Sequence, residues 1–234
     1  MPFLGSQPAE AALTTGDLGD DIVTLAKIQS GTDGELITLD SSGNPAAVAV
    51  GTSGHYLKSQ GSGNPPVFAA VASSGFTVGT EVATTSGTTA DFTGIPSGTK
   101  QIIINLTGVS WSASNSSPTI ILGDAGGFET SGYVGAGGQT ASATSSSRTD
   151  SFGIADTNRV AAADTLHGSV ILTLEDASNH VWICNAMVGI AGSSDCVMFS
   201  TGSKTLSAEL TQVRVTTVSG DTFDAGAINV QYIG

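Results

Sequence analysis

The chain has 234 residues and a formal net charge of −13, from 7 Lys and Arg against 20 Asp and Glu. Gly (31), Ser (30) and Thr (29) supply 90 of those residues, and only 12% are charged, about half the usual share of a globular domain. With no cluster of Lys and Arg to grip phosphates, nucleic acid is excluded as a partner, and attachment to a membrane surface through basic residues fails for the same reason.

The 39% of hydrophobic residues, many of them β-branched, argue against charge-driven disorder. No apolar run approaches the roughly 18 residues that a membrane-spanning helix needs. The opening MPFLGSQPAE lacks the basic and apolar regions of a secretory signal, so the expectation is a protein made in the cytoplasm. Two cysteines, Cys184 and Cys196, are too few for a disulfide-stapled domain and have no histidines beside them to make a zinc site. They read as two buried thiols on strands, or as one disulfide.

Residues 1–30 form the first part. Asp20 or Asp21 can cap a short helix over Ile22–Gln29. Ile22, Leu25 and Ile28 recur at spacing three and make one apolar stripe. A helix of eight residues does not hold in water by itself, so the stripe must dock on its own chain, on other copies or on a larger assembly. The expectation is an N-terminal anchor in which these three residues make the contact.

Residues 31–71 contain an internal repeat. GTDGELITLDSSGNPAAVAV is followed by GTSGHYLKSQGSGNPPVFAAV, and at an offset of 20 the two share Gly31/Gly51, Thr32/Thr52, Gly34/Gly54, Ser42/Ser62, Gly43/Gly63, Asn44/Asn64, Pro45/Pro65 and Ala49/Ala69. Each unit reads as a short strand (Glu35–Leu39, His55–Ser59), a Ser-Gly-Asn-Pro turn, and a second strand (Ala46–Val50, Val67–Val71). The turn has a mechanism: Asn before Pro is pushed to extended geometry, and Gly takes positive φ without strain. One unit has too few apolar residues for a core, and two repeats are fewer than a solenoid needs. Three copies wound about a shared axis, their apolar residues meeting at the centre, would solve both problems. The expectation is a thin homotrimeric shaft.

Residues 72–234 carry short apolar runs between Ser/Gly/Thr-rich turns. Strands are expected over Thr77–Ala83, Gln101–Ser110, Pro118–Leu122, Ser169–Glu175, Val181–Ile190, Cys196–Ser200, Leu210–Val218 and Ala227–Tyr232, with a turn at Asp176-Ala177-Ser178-Asn179. Eight antiparallel strands in this length suit a β-sandwich of jelly-roll type. Gly135–Ser147 (GAGGQTASATSSS) reads as a flexible loop or as a surface loop shaped by a receptor. The fold class is therefore all-β: a short N-terminal helix, a repeat shaft and a C-terminal sandwich.

LAKIQSGTDGELITLDSSGNPAAVAVGTSGHYLKSQGSGNPPVF resembles segments of bacteriophage tail-fibre and related virion fibre proteins. The matching residues are Leu25, Ala26, Lys27, Ile28, Gly31–Gly34, Gly51–Leu57, Pro45 and Pro65. Phe92–Pro96, Leu122–Tyr133 and Asp221–Val230 are similar to the terminal domain of such proteins. Pro65-Pro66-Val67-Phe68 departs from the pattern, because these repeats often place a Trp after the proline. The resemblance covers most of the chain from about residue 20. It implies a trimeric, non-enzymatic appendage of the virion, held by its N-terminus to other virion proteins and exposing its C-terminus to a bacterial surface.

Chemistry is sparse. His55, His167 and His180 are far apart, and Gly192-Ser193-Ser194-Asp195 has no helix behind it to form a nucleophile elbow. Asp124 and Glu129 are near enough in sequence to be weighed as a glycosidase pair or as calcium ligands, but their setting, GDAGGFETSG, reads as a polar turn with too few acids for calcium. No catalytic residue, cofactor or metal is expected. Trp111 and Tyr133, beside Asn115 and Asp124, make a candidate glycan site, since aromatic faces supply apolar area and Asn and Asp orient hydroxyls. The competing reading packs Trp111 on the sandwich core and Tyr133 between protomers. Trp182, inside a strand, reads as core. Three functions are thus open: host attachment through surface polysaccharide, a structural head fibre, decoration or adaptor protein, and, least favoured, a capsule-degrading enzyme.

Overall fold

A computed structural model describes residue 16 and residues 31–71, 75–154, 160–193 and 195–234, with 142–146 as backbone. The expected helix over 22–29, and with it Ile22, Leu25 and Ile28, lies outside the described residues. Those residues are all-β, and the chain divides into two compact units, Met1–Ser73 and Ser74–Gly234.

The described residues of the first unit hold four strands: β1 (Leu36–Leu39), β2 (Pro45–Val48), β3 (His55–Lys58) and β4 (Val67–Ala70). β1 pairs with β2 and β3 with β4, both antiparallel, Leu36 opposite Val48 and His55 opposite Ala70. The repeat in sequence is therefore a repeat of hairpins. Its glycines recur because the backbone demands them: Gly34 and Gly54 enter the two hairpins at φ 83° and 87°, and Gly43 and Gly63 turn them at 82° and 79°. In the first hairpin Asp40 braces the turn, its Oδ1 accepting from the amides of Ser42 (2.8 Å) and Asn44 (2.9 Å). Those bonds, that to Asn44 foremost, hold its carboxyl below the ordinary range. Gln60 stands at this place in the second hairpin, and there Ser59 Oγ accepts from Gly61 N instead.

The second unit contains β5 (Thr77–Val78), β6 (Val82–Ala83), β7 (Thr89–Thr93), β8 (Gln101–Trp111), β9 (Pro118–Asp124), β10 (Gly127–Phe128), β11 (Tyr133–Gln139), β12 (Ser142–Ser147), β13 (Phe152–Gly153), β14 (Thr165–Asp176), β15 (Val181–Ala191), β16 (Cys196–Thr205), β17 (Gln212–Thr217) and β18 (Phe223–Ile233). One sheet runs β12-β11-β16-β15-β14-β8-β18-β5, with β6 also on β18; the other runs β10-β9-β17-β7, with β13 also on β9. All pairings are antiparallel, and neither sheet closes into a barrel.

Alternation explains the core. Ile102, Ile104 and Leu106 of β8 face inward with Val170 and Leu172 of β14, and Phe92, Ile120, Leu122, Val213 and Val215 of the smaller sheet meet them in one cluster. Each fully buried aliphatic side chain contributes about 1.5–3 kcal/mol. All eight expected strands are present, with Thr77–Ala83 split into β5 and β6 around Gly79, whose amide bonds to Val230 O. The Asp176–Asn179 turn is also present, Asp176 Oδ1 accepting from the amides of Ser178 and Asn179.

One expectation is corrected. Gly135–Ser147 is not a loop: it makes up most of the β11–β12 hairpin at the end of the larger sheet. Its glycines permit a close approach. Gly135 stands opposite Gly202 of β16, and a Cβ on Gly202 would come within 2.6 Å of Val134 O and 3.1 Å of the Phe152 ring. The cysteines stay free. Cys184 lies opposite Gly202 and Cys196 opposite Ile190, so they are not neighbours, and burial pushes the Cys184 thiol up to about 12.

Ile104, fully buried between Val170 and Val230, reports on this core. Ile104→Ala is expected to lower stability by about 2–5 kcal/mol in urea denaturation, against at most about 0.5 kcal/mol for the exposed Thr93→Ala.

Candidate functional site

The polar residues that stand out in sequence gather where β9, β10, β11, β16 and β17 meet. Asp124, the last residue of β9, is buried. Its Oδ1 accepts from Gly126 N (2.7 Å) and its Oδ2 from Ser207 Oγ (2.5 Å), while its carbonyl accepts from Gln212 Nε2 (2.8 Å). Glu129 Oε1 accepts from Ser207 N (2.7 Å), and Glu129 Oε2 pairs with the ammonium of Lys204 on β16. Lys204 also donates to Thr205 O and lies 5.5 Å from the centre of the Tyr133 ring. The Tyr133 hydroxyl donates to Glu129 O (2.9 Å) and accepts from Leu122 N (2.8 Å), and its ring meets Phe152 edge-on at 4.8 Å.

This network joins the two sheets, because Lys204 and Tyr133 belong to the larger and Asp124 and Gln212 to the smaller. Its charges are matched. The Ser207 hydroxyl and the Gly126 amide hold Asp124 below the ordinary carboxylate range. Burial pushes Glu129 up, but the Lys204 ammonium and the Ser207 amide outweigh it and leave this carboxyl lowered as well. Two carboxylates held ionised do not supply the raised-pKa acid that glycoside hydrolysis takes from one of its pair. Among the described residues no group of three or more His, Cys, Asp or Glu is placed to hold a metal.

The four expected glycan residues do not come together on a surface. Trp111, the last residue of β8, is fully buried, its ring 5.2 Å from Phe223. Tyr133 is 1% exposed and packs inside its own chain rather than between protomers. Asp124 is committed to the network above. Asn115 alone is exposed, at φ 66° in the turn between β8 and β9. The stacking role expected of Trp111 and Tyr133 is therefore withdrawn: Ser- and Gly-rich neighbours made strand ends look like loops. Trp182 is buried, as expected.

His167 and Ser193 are also tied into structure. His167 Nδ1 accepts from Gly108 N (3.3 Å), and Ser193 gives both its amide (2.6 Å) and its hydroxyl (2.9 Å) to the buried Asp164 Oδ1. Lys204 and Ser207 carried no signal in sequence, since a single Lys and a single Ser have no periodicity.

Comparison of the chain with protein-family models, with curated proteins and with solved structures finds no significant match.

The network has two expected consequences. Lys204→Met leaves Glu129 uncompensated and should cost about 3 kcal/mol in urea denaturation. Because Asp124 and Glu129 titrate below their unfolded values, their stabilisation is fully present above about pH 4.5 and is lost as pH falls through the lowered values. The Asp124→Asn/Glu129→Gln chain should therefore show a flatter loss of stability between pH 5 and pH 2 than the parent; an equally steep loss would contradict the assignment.

Proposed function

We propose that the chain is the subunit of a homotrimeric bacteriophage virion fibre, with residues 1–30 as its anchor on other virion proteins, 31–71 as a thin shaft and 72–234 as a distal jelly roll that meets the bacterial surface. One observation carries the trimer. Of the apolar residues in 31–71 only Val48 is buried, while Leu36, Ile37, Leu39, Val50, Tyr56, Leu57, Val67 and Val71 are each more than a third exposed. A two-stranded hairpin with its apolar side chains in water is marginal at best. Three copies bring six strands to each repeat and let these side chains cover one another.

Strand order supports the jelly roll. Taking β6, β7, β8, β9, β13, β14, β17 and β18 in sequence, the first pairs with the last, the second with the next to last, and so inward: β6 with β18, β7 with β17, β8 with β14, β9 with β13. The pairs β18–β8 and β17–β9 then join this ribbon across each sheet. That is the order obtained when an eight-stranded hairpin is wound into two sheets. The strands β15, β16, β11 and β12 extend it beyond β14.

The virion assignment rests on the resemblance of residues 25–68 and of the C-terminal segments to fibre proteins. The burial of Trp111 and Tyr133 favours a second reading, in which the distal unit is a structural or adaptor part that binds no polysaccharide.

Light scattering of the full chain should give about three times the 23.2-kDa chain mass, and a stable single-chain species would overturn the trimer. Fluorescently labelled full-length protein that decorates host cells supports attachment; a trimer that binds no cells supports the structural reading.

A further inference from the structure

We infer that the outer face of the larger sheet, over β18, β8, β14, β15 and β16, is a self-association surface whose occupant is further copies of this chain, each turning this face toward a shared threefold axis. The inference rests on the trimer reading and adds to it the surface through which the C-terminal units meet.

Three observations carry it. First, the face carries exposed apolar side chains among neutral polar ones. Met187 is about two-thirds exposed, and Phe199 and Val197 are about half and two-fifths exposed. Register places Met187 and Phe199 together: Ser169, Met187 and Phe199 stand opposite one another in one row, and Ile103, Ile171, Asn185 and Thr201 in the next.

Second, the face lacks charge. In the five strands the only Lys, Arg, Asp or Glu residues are Glu175 and Asp176 at one end of β14, Asp224 at the start of β18, and Lys204, which points inward and is buried. The opposite face of the unit differs. There Arg214 makes two bonds to Asp91 (2.7 and 2.6 Å) with its guanidinium 4.1 Å from the Phe128 ring centre, a charged surface satisfied within its own chain. Copies of a chain with net charge −13 repel one another wherever like charges meet, and an uncharged face lets them approach without that repulsion.

Third, the area is sufficient. Five strands about 4.8 Å apart and about ten residues long at about 3.3 Å each present about 800 Å², which matches the area per partner of a stable interface.

Methionine chemistry tests this without a substitution. Met187 lies on the face, and Met198 is buried in the core of the same chain. In a free single chain, peroxide would convert Met187 to the sulfoxide and spare Met198. Peptide mass spectrometry of the peroxide-treated full chain, at a concentration where scattering gives the three-chain mass, should find Met187 oxidised at least about tenfold more slowly than a free Met peptide. In Phe199→Glu, which places a carboxylate on the face, Met187 should become oxidisable while Met198 stays protected and reports that the fold is intact. A three-chain species whose Met187 reacts as fast as the free peptide overturns this inference and leaves the trimer standing. A protected Met187 in a two-chain species supports the face and overturns the threefold. A single-chain species overturns both.

Discussion

Every strand in this chain has two faces, and the fate of the apolar one decides the rest of the structure. In residues 74–234 the constraint is met within the chain. Inward residues such as Ile102, Ile104 and Leu172 on one sheet meet Leu122, Val213 and Val215 on the other. In residues 31–71 the two hairpin ladders are formed, but among the described residues Val48 is the only apolar side chain of this stretch that is buried. Hydrogen bonds between two strands do not offset the entropy of ordering them without a packed face. On the proposed reading, further copies of the chain supply that face.

The same constraint explains two features of the sandwich. The polar network of Asp124, Glu129, Lys204 and Ser207 joins the sheets at the β9–β10 end, where a buried lysine is tolerable because a carboxylate pairs with it and a carbonyl takes a further donor. Opposed glycines, Gly135 and Gly202, sit where the sheet approaches Phe152, so small residues stand in for side chains that would collide. The abundance of Gly and Ser thus belongs to close packing and to left-handed turns. The deficit of charge leaves β8 and β15 without a charged residue.

Much of this was legible in sequence because it is periodic. The 20-residue repeat fixed the two hairpins, since glycines in the left-handed region and prolines recur only where the backbone geometry recurs. Strict alternation located long strands such as Gln101–Ser110 and Val181–Ile190. Shorter or side-chain-poor strands escaped: in β7 the inward set is only Ala90 and Phe92, and β11–β12 is written mostly in Gly, Ser and Ala, which carry no apolar alternation. The aromatic site failed for a related reason. Polar neighbours in sequence do not expose a side chain when it ends a strand whose inward face is core, as Trp111 and Tyr133 do. The self-association face did leave a trace, because in Val181–Ala191 both alternate sets contain apolar residues, Trp182 and Val188 on one and Ile183 and Met187 on the other.

The central claim is that the hairpins of residues 36–70 are held by other copies of the chain. Amide hydrogen exchange at two protein concentrations tests it most directly, because association protects amides by mass action whereas folding within one chain does not. The account predicts that the paired amides of β1–β4 lose protection on dilution while those of β8, β14 and β18 keep theirs. Protection of β1–β4 that is strong and independent of concentration would contradict it.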